Sequence, residues 1–166
     1  MKFKNSLYGL FCFASVFCLM SLQVPSKLQK KVNKEIKKTF DSADFIIKPF
    51  LISSEGKKNT DVVFSDENFF SIQISEKIVG YAFVEKAPSK TADFDYMVIL
   101  DENLIIKKTK VLIYREEYGG EIASKRWLKQ FIGKTNTDSF AYKKDISAIS
   151  GATISVQSMT NAVNNF

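Results

Sequence analysis

A threonine hydroxyl close to the C-terminus has the most specific chemical surroundings in this 166-residue sequence. Thr153 comes just before a predicted helix over residues 155–163, and the hydroxyl of Ser155 can bond a phosphoester or cap that helix. The free N–H groups and the dipole at the start of a helix favour a phosphate. Three small residues precede the threonine, Ser150, Gly151 and Ala152, and the last two leave room for the backbone to approach a bulky group. The run therefore suits a phosphate ester on Thr153, although alone it is also typical of a loop in which Gly151 has a positive φ.

The composition excludes most other chemistry. The chain has no histidine, and its two cysteines, Cys12 and Cys18, lie in an N-terminal apolar run. The remainder therefore lacks the usual general base, the commonest metal ligand, a thiol nucleophile and any disulfide, which disfavours a hydrolase. Glu116 and Glu117 are adjacent carboxylates, as acid–base catalysis requires, but neighbours in a strand or loop point apart. We interpret them as solvated loop charges.

Residues 1–24 are predicted to be a signal peptide or a membrane anchor. Lys2 and Lys4 precede an apolar run over residues 7–22, which is slightly short of a full membrane span. Cleavage and retention as an N-terminal hydrophobic helix both remain open. The basic residues before the run predict that the N-terminus is inside and that the rest of the chain is outside the membrane.

A basic amphipathic helix is predicted over residues 25–42, beginning after Ser26. Much of the net charge of +6 lies there, on Lys27, Lys30, Lys31, Lys34, Lys37 and Lys38. Because the chain is predicted to be exported, an anionic membrane surface or solvent explains this charge better than nucleic acid. The apolar stripe of Leu28, Val32, Ile36 and Phe40 must pack either on the domain, which we favour, or on the bilayer.

The remainder, residues 43–166, is predicted to be one α+β domain: a single antiparallel sheet with flanking helices. Alternating apolar residues predict strands over 69–75, 77–86, 94–100 and 104–115, preceded by a β segment over 45–52 that Pro49 interrupts. The last three strands are close enough in sequence to form a meander. A helix is predicted over residues 121–131, ended by Gly133.

The chain resembles the FMN-binding domain family, whose members include the flavin-carrying subunits of sodium-pumping quinone reductase and Rnf-type complexes. The clearest match is Ile149-Ser150-Gly151-Ala152-Thr153-Ile154-Ser155, which is similar to the family's flavinylation motif. Segments 80–83, 96–101, 111–122 and 127–134 also resemble family segments, in the family's order. The resemblance covers about residues 78–165.

This resemblance implies a covalent cofactor. In the family, a flavin transferase uses FAD to join FMN through its phosphate to the motif threonine, here Thr153. Ser150, Gly151, Ala152 and Ser155 would then surround the phosphoester. Three residues fall on the loop that faces the flavin ring in relatives: Glu117, Tyr118 and Gly119. Tyr118 is interpreted either as a residue packed on the isoalloxazine or as a plain surface aromatic.

The function implied is that of an exported, membrane-associated flavoprotein that transfers electrons, a carrier or subunit rather than a stand-alone enzyme. With the predicted export, the resemblance implies a location at the extracytoplasmic face of a bacterial inner membrane or in the periplasm. Its partners would be a flavin transferase, the membrane surface and either a membrane redox complex or an extracytoplasmic electron acceptor, without nucleic acid. Ser147 departs from the family pattern, which has aspartate there; the nearest acid is Asp145. This departure supports an alternative, a flavin-free binding or interaction module of the same fold.

Overall fold

The computed structural model describes residues 26–53 and 62–166. The predicted signal peptide or anchor, with both cysteines, lies outside the described residues, as does most of the predicted loop over 53–60. Within the described ranges, no helix is both long and apolar enough to cross a membrane.

The core element is a five-stranded antiparallel sheet with strand order β1-β2-β3-β4-β5. The strands are β1 Ile46–Pro49, β2 Phe69–Ile74, β3 Lys77–Ala87, β4 Phe94–Asp101 and β5 Ile106–Ile113. Seven of the eight residues of β4 are buried, because this strand is covered on both faces. The predicted α+β class and the meander are confirmed.

Helix α1, Lys27–Phe40, covers one face of the sheet. Ser26 caps it by accepting a hydrogen bond from the N–H of Gln29, as its sequence position predicts. Val32 and Ile36 are buried against apolar side chains of β2 to β5, among them Ile72, Ala82, Met97, Ile99 and Leu112. The prediction that the apolar stripe packs on the domain is confirmed, since the helix and the sheet share this core.

The other face of the sheet carries the C-terminal half of the chain. Helix α2, Lys125–Leu128, and helix α3, Thr153–Asn164, pack there on the larger of the two cores. Because adjacent residues of a strand point to opposite faces, β4 supplies Met97 to the α1 side and Tyr96 and Val98 to this side. The sheet therefore separates the basic helix from the motif of Thr153.

The single helix predicted over residues 121–131 is wrong. The chain there forms a 3₁₀ turn, Gly120–Ala123, then α2, then a second 3₁₀ turn, Lys129–Phe131. Ser124 interrupts the helix because its backbone is extended and its side chain accepts a hydrogen bond from the N–H of Trp127 at 3.2 Å. A serine in this position starts a new helix rather than continuing the previous one.

Two boundaries differ from the prediction in ways that matter for the motif. Helix α3 begins at Thr153, two residues earlier than predicted, so the threonine is the first helical residue. Strand β5 ends at Ile113, so that residues 114–119, called the β5 exit below, leave the sheet and run towards the start of α3.

Candidate functional site

The small-residue run forms a tight turn at the start of α3. The N–H of Ala152 donates to the carbonyl of Ile149 at 3.2 Å, and Gly151 in the third position has φ of 76°. A β-turn with this geometry favours glycine there. Thr153 follows the turn and is exposed, so its hydroxyl is reachable from solvent.

The start of α3 has no side-chain cap, since the N-cap residue is Ala152. Alanine is a poor N-cap, costing about 0.5–2 kcal/mol relative to serine or aspartate. The N–H groups of the first turn are thus free of a side-chain acceptor and can bind an anion next to Thr153.

Gly119 explains why a small residue stands at position 152. It has φ of 75°, and a Cβ at that position would lie 2.3 Å from the Cβ of Ala152. Tyr118 in turn lies beside Gly151, whose added Cβ would be 3.6 Å from the Cβ of Tyr118. The β5 exit and the turn therefore approach each other at a distance that larger side chains would prevent.

Thr153 lies at the edge of a cavity of about 340 Å³ between three segments of the chain. These segments are the start of α3, the β5 exit and the β3–β4 loop, residues 88–93. The lining residues are Ser89, Lys90, Tyr114, Glu116, Tyr118, Gly151, Ala152, Thr153, Ile154 and Ser155.

A chain of hydroxyl groups joins the three segments. Ser155, 2% exposed, contacts the hydroxyl of Ser89 and that of Tyr114, the latter at 3.0 Å. Tyr114 donates its proton to the carbonyl of Tyr118 at 3.1 Å. The Ser89 hydroxyl also hydrogen-bonds to the carboxylate of Glu116, to which it can only donate. These bonds hold the cavity walls together.

Two consecutive charged side chains of the β5 exit, Arg115 and Glu116, hold the β3–β4 loop in place. The Glu116 carboxylate accepts hydrogen bonds from the N–H and hydroxyl of Thr91, at 2.7 and 2.8 Å, and from the N–H of Ala92 at 3.3 Å. Arg115 donates to the carbonyl of Asp93 and forms an ion pair with the buried carboxylate of Asp95, both at 2.6 Å. The loop is thereby held in place beside the cavity.

These bonds determine the protonation of Glu116. The backbone and side-chain hydrogen bonds from Thr91 lower the pKa of the Glu116 carboxyl to about 2. Glu116 is therefore a solvent-accessible loop charge, as interpreted from the sequence, and it is also bonded to the β3–β4 loop. It stays ionised at neutral pH and cannot act as a general acid there.

Five of the residues proposed from the sequence line the cavity: Tyr118, Gly151, Ala152, Thr153 and Ser155. Gly119 packs behind Ala152, while Ser150 and Glu117 are exposed and do not line it. Tyr118 is 74% exposed at the mouth, where both interpretations of its role stay open.

The other five residues that line the cavity were not among the site residues predicted from the sequence: Ser89, Lys90, Tyr114, Glu116 and Ile154. In the sequence, Ser89 and Lys90 lie between the strands predicted over 77–86 and 94–100, and no motif connects them to Thr153.

Ser147 is held by its backbone. Its N–H donates to the side-chain carbonyl of Gln130 at 2.9 Å, and its carbonyl accepts from the indole of buried Trp127 at 2.8 Å. Asp145 accepts from the N–H of Ala141 at 2.9 Å and closes a local turn. The segment before the motif is thus positioned without a carboxylate at 147.

Comparison with known protein families gives one match. The model of the FMN-binding domain family matches residues 90–166, which confirms the resemblance and places its start twelve residues later than expected. No curated protein sequence matches the chain. The match includes the β5 exit and the turn before Thr153, and begins at Lys90 of the β3–β4 loop.

The packing of Gly119 against Ala152 yields a first prediction. Gly119→Ala is expected to lower the free energy of unfolding by about 1–3 kcal/mol, through the clash and the positive φ. In combination with Ala152→Gly, the loss should be smaller than the sum of the two single losses. Urea denaturation measures the free energy of unfolding of the wild type, the two single variants and the double variant. Gly120→Ala is the matched control, because nothing lies within 4 Å of a Cβ at that position; equal losses at 119 and 120 would contradict the packing.

The bonds of Glu116 yield a second prediction, on pH dependence. A carboxyl whose pKa falls from 4.5 unfolded to about 2 folded stabilises the fold above pH 4.5 and loses this effect as pH falls to 2. The difference in melting temperature between wild type and Glu116→Gln should therefore be largest near pH 6 and shrink below pH 5. Glu117→Gln is the control, because it removes the neighbouring charge and leaves the bonds to Thr91 intact. The change in melting temperature that it causes is subtracted from that of Glu116→Gln. A difference that grows on acidification would contradict the assignment.

Proposed function

We propose that this chain, whose residues 90–166 match the FMN-binding domain family, carries FMN bonded through the phosphate to Thr153. The observation that carries this proposal is the exposed Thr153 hydroxyl at an uncapped helix start, at the edge of the cavity. A phosphate bonded to this hydroxyl lies where first-turn N–H groups and the helix dipole favour an anion.

The attachment is a phosphoryl transfer from FAD, catalysed by a separate flavin transferase. The Thr153 oxygen forms a bond to the FMN phosphorus, the pyrophosphate bond of FAD breaks, and AMP leaves. The hydroxyl proton is released to solvent. No electron is gained or lost, so the product is FMN joined to threonine as a phosphodiester.

The residues present fit such a group. The cavity volume, about 340 Å³, is at the lower end of the ~300–1,000 Å³ typical of small-molecule sites. Gly151 and Ala152 add no bulk beside the threonine, and Lys90 supplies a positive charge. Exposed Tyr118 and Ile154 offer apolar surface to a flavin ring at the mouth. A tethered flavin would remain accessible to a redox partner from the open side.

The function supported best is electron transfer. Bound FMN supplies the redox chemistry, and the protein residues hold and orient it. Glu116 is ionised and bonded to Thr91, so its part is structural. The electrons would pass to or from a membrane redox complex or an extracytoplasmic acceptor.

The proposed location is the extracytoplasmic side of the inner membrane. Residues 7–22 form the apolar run that supports export. The outward face of α1 supports contact with an anionic membrane surface, because its apolar stripe is used in the core while its lysines remain outside. The exposed lysines are Lys27, Lys30, Lys34, Lys37 and Lys38.

Attachment at Thr153 is tested by co-expressing the full chain with a flavin transferase. Intact mass should increase by one FMN less one water in wild type, with flavin fluorescence on a denaturing gel. Thr153→Ala should lose both signals completely, because the acceptor oxygen is gone. Ser150→Ala removes a neighbouring exposed hydroxyl and should keep both. A wild type without the increment would favour the flavin-free module, and an increment on Thr153→Ala would place the flavin elsewhere.

Export is tested by adding protease to intact spheroplasts after collecting the periplasmic extract. The domain should appear in that extract if the N-terminal segment is cleaved, or be digested on the spheroplast surface if it is retained. Recovery of intact protein only from lysed spheroplasts would refute export.

A further inference from the structure

The β3–β4 loop holds a cation beside Thr153 that has no assigned role. Lys90 is the only positively charged residue among the described residues that line the cavity. Lys90 also forms no ion pair with any residue the structure describes. Its charge is therefore available to a ligand.

The backbone that carries Lys90 is bonded on both sides. On one side, Ser89 bonds to Ser155 in the first turn of α3. On the other side, Thr91 bonds through its N–H and hydroxyl to the carboxylate of Glu116. The backbone of Lys90 is therefore held between two anchored neighbours, one of which is bonded to the first turn of the helix that Thr153 begins.

Three hydroxyl groups of the cavity are bonded to the protein. Those of Ser89, Ser155 and Tyr114 are hydrogen-bonded to one another and to the carbonyl of Tyr118, and Ser89 also bonds to Glu116. These three hydroxyls hold the cavity walls. The donors left for an anion beside Thr153 include the N–H groups of the first turn and the Lys90 ammonium.

We propose that Lys90 binds the phosphodiester on Thr153, and that Glu116 is a positioning residue that holds the β3–β4 loop so that Lys90 faces it. This inference rests on the proposed attachment of FMN to Thr153. A phosphodiester carries one negative charge at neutral pH, which Lys90 neutralises from the side opposite α3. The ligand group is thus held between a helix start and a lysine.

Phosphorus-31 NMR of the flavin-loaded full chain tests the proposal, because the resonance reports the surroundings of the phosphate itself. Lys90→Ala should shift the resonance from its wild-type position, and Lys90→Arg should restore it to near that position. Lys86→Ala removes an exposed lysine that does not line this cavity and should superimpose on wild type. An unmoved resonance in Lys90→Ala would overturn the role of Lys90.

Glu116 is tested in the same spectra. Glu116→Ala should shift the resonance in the same direction as Lys90→Ala. Glu102→Ala removes an exposed carboxylate that does not line the cavity and should leave the resonance unmoved. If Glu116→Ala does not fold, Thr91→Val removes only the hydroxyl bond and should give a smaller shift in that direction. Spectra in which neither variant moves the resonance would overturn the positioning role.

The two proposals fail in different ways. Wild type that carries no flavin overturns both. Wild type that carries flavin on Thr153, with a resonance insensitive to position 90, overturns the phosphate contact alone.

Discussion

The contact between Gly119 and Ala152 determines the geometry of the cavity. A side chain at 119 would overlap the Cβ of Ala152, and the φ of 75° at this residue also favours glycine. Because this contact is close, Tyr118 lies beside Gly151, and the β5 exit reaches the start of α3. The position of the Thr153 hydroxyl relative to the cavity follows from this approach.

The β5 exit also holds the β3–β4 loop, which forms the third wall of the cavity. Consecutive residues of the β5 exit bind different segments of the chain. Tyr114 bonds to Ser155 of α3, Arg115 pairs with Asp95 of β4, and Glu116 holds Thr91 of the β3–β4 loop. Each of these three side chains is engaged in a bond that holds a wall of the cavity. Such a site is suited to holding a tethered group, which is the requirement for a flavin carrier in which the cofactor supplies the reactivity.

The sequence predicted the sheet well because its strands have alternating or continuous apolar residues between clear turns. It also predicted α1, whose Ser26 cap and apolar stripe are local signals. The interruption at Ser124 was missed because the apolar residues on either side fit one helical period. The bond between Glu116 and Thr91 joins residues 25 apart, and no spacing rule connects them. The small-residue turn was recognisable in the sequence. The β3–β4 loop with Lys90 was not recognisable as part of the same site, because its position beside the turn depends on tertiary packing.

The most direct test of this account is an experimental structure of the flavin-loaded chain. It should show continuous density from the Thr153 oxygen to the FMN phosphorus, with the Lys90 ammonium within about 4 Å of a phosphate oxygen, the usual separation of an ion pair. Density for FMN bonded to another residue, or lying outside the space between α3, the β5 exit and the β3–β4 loop, would contradict the central claim.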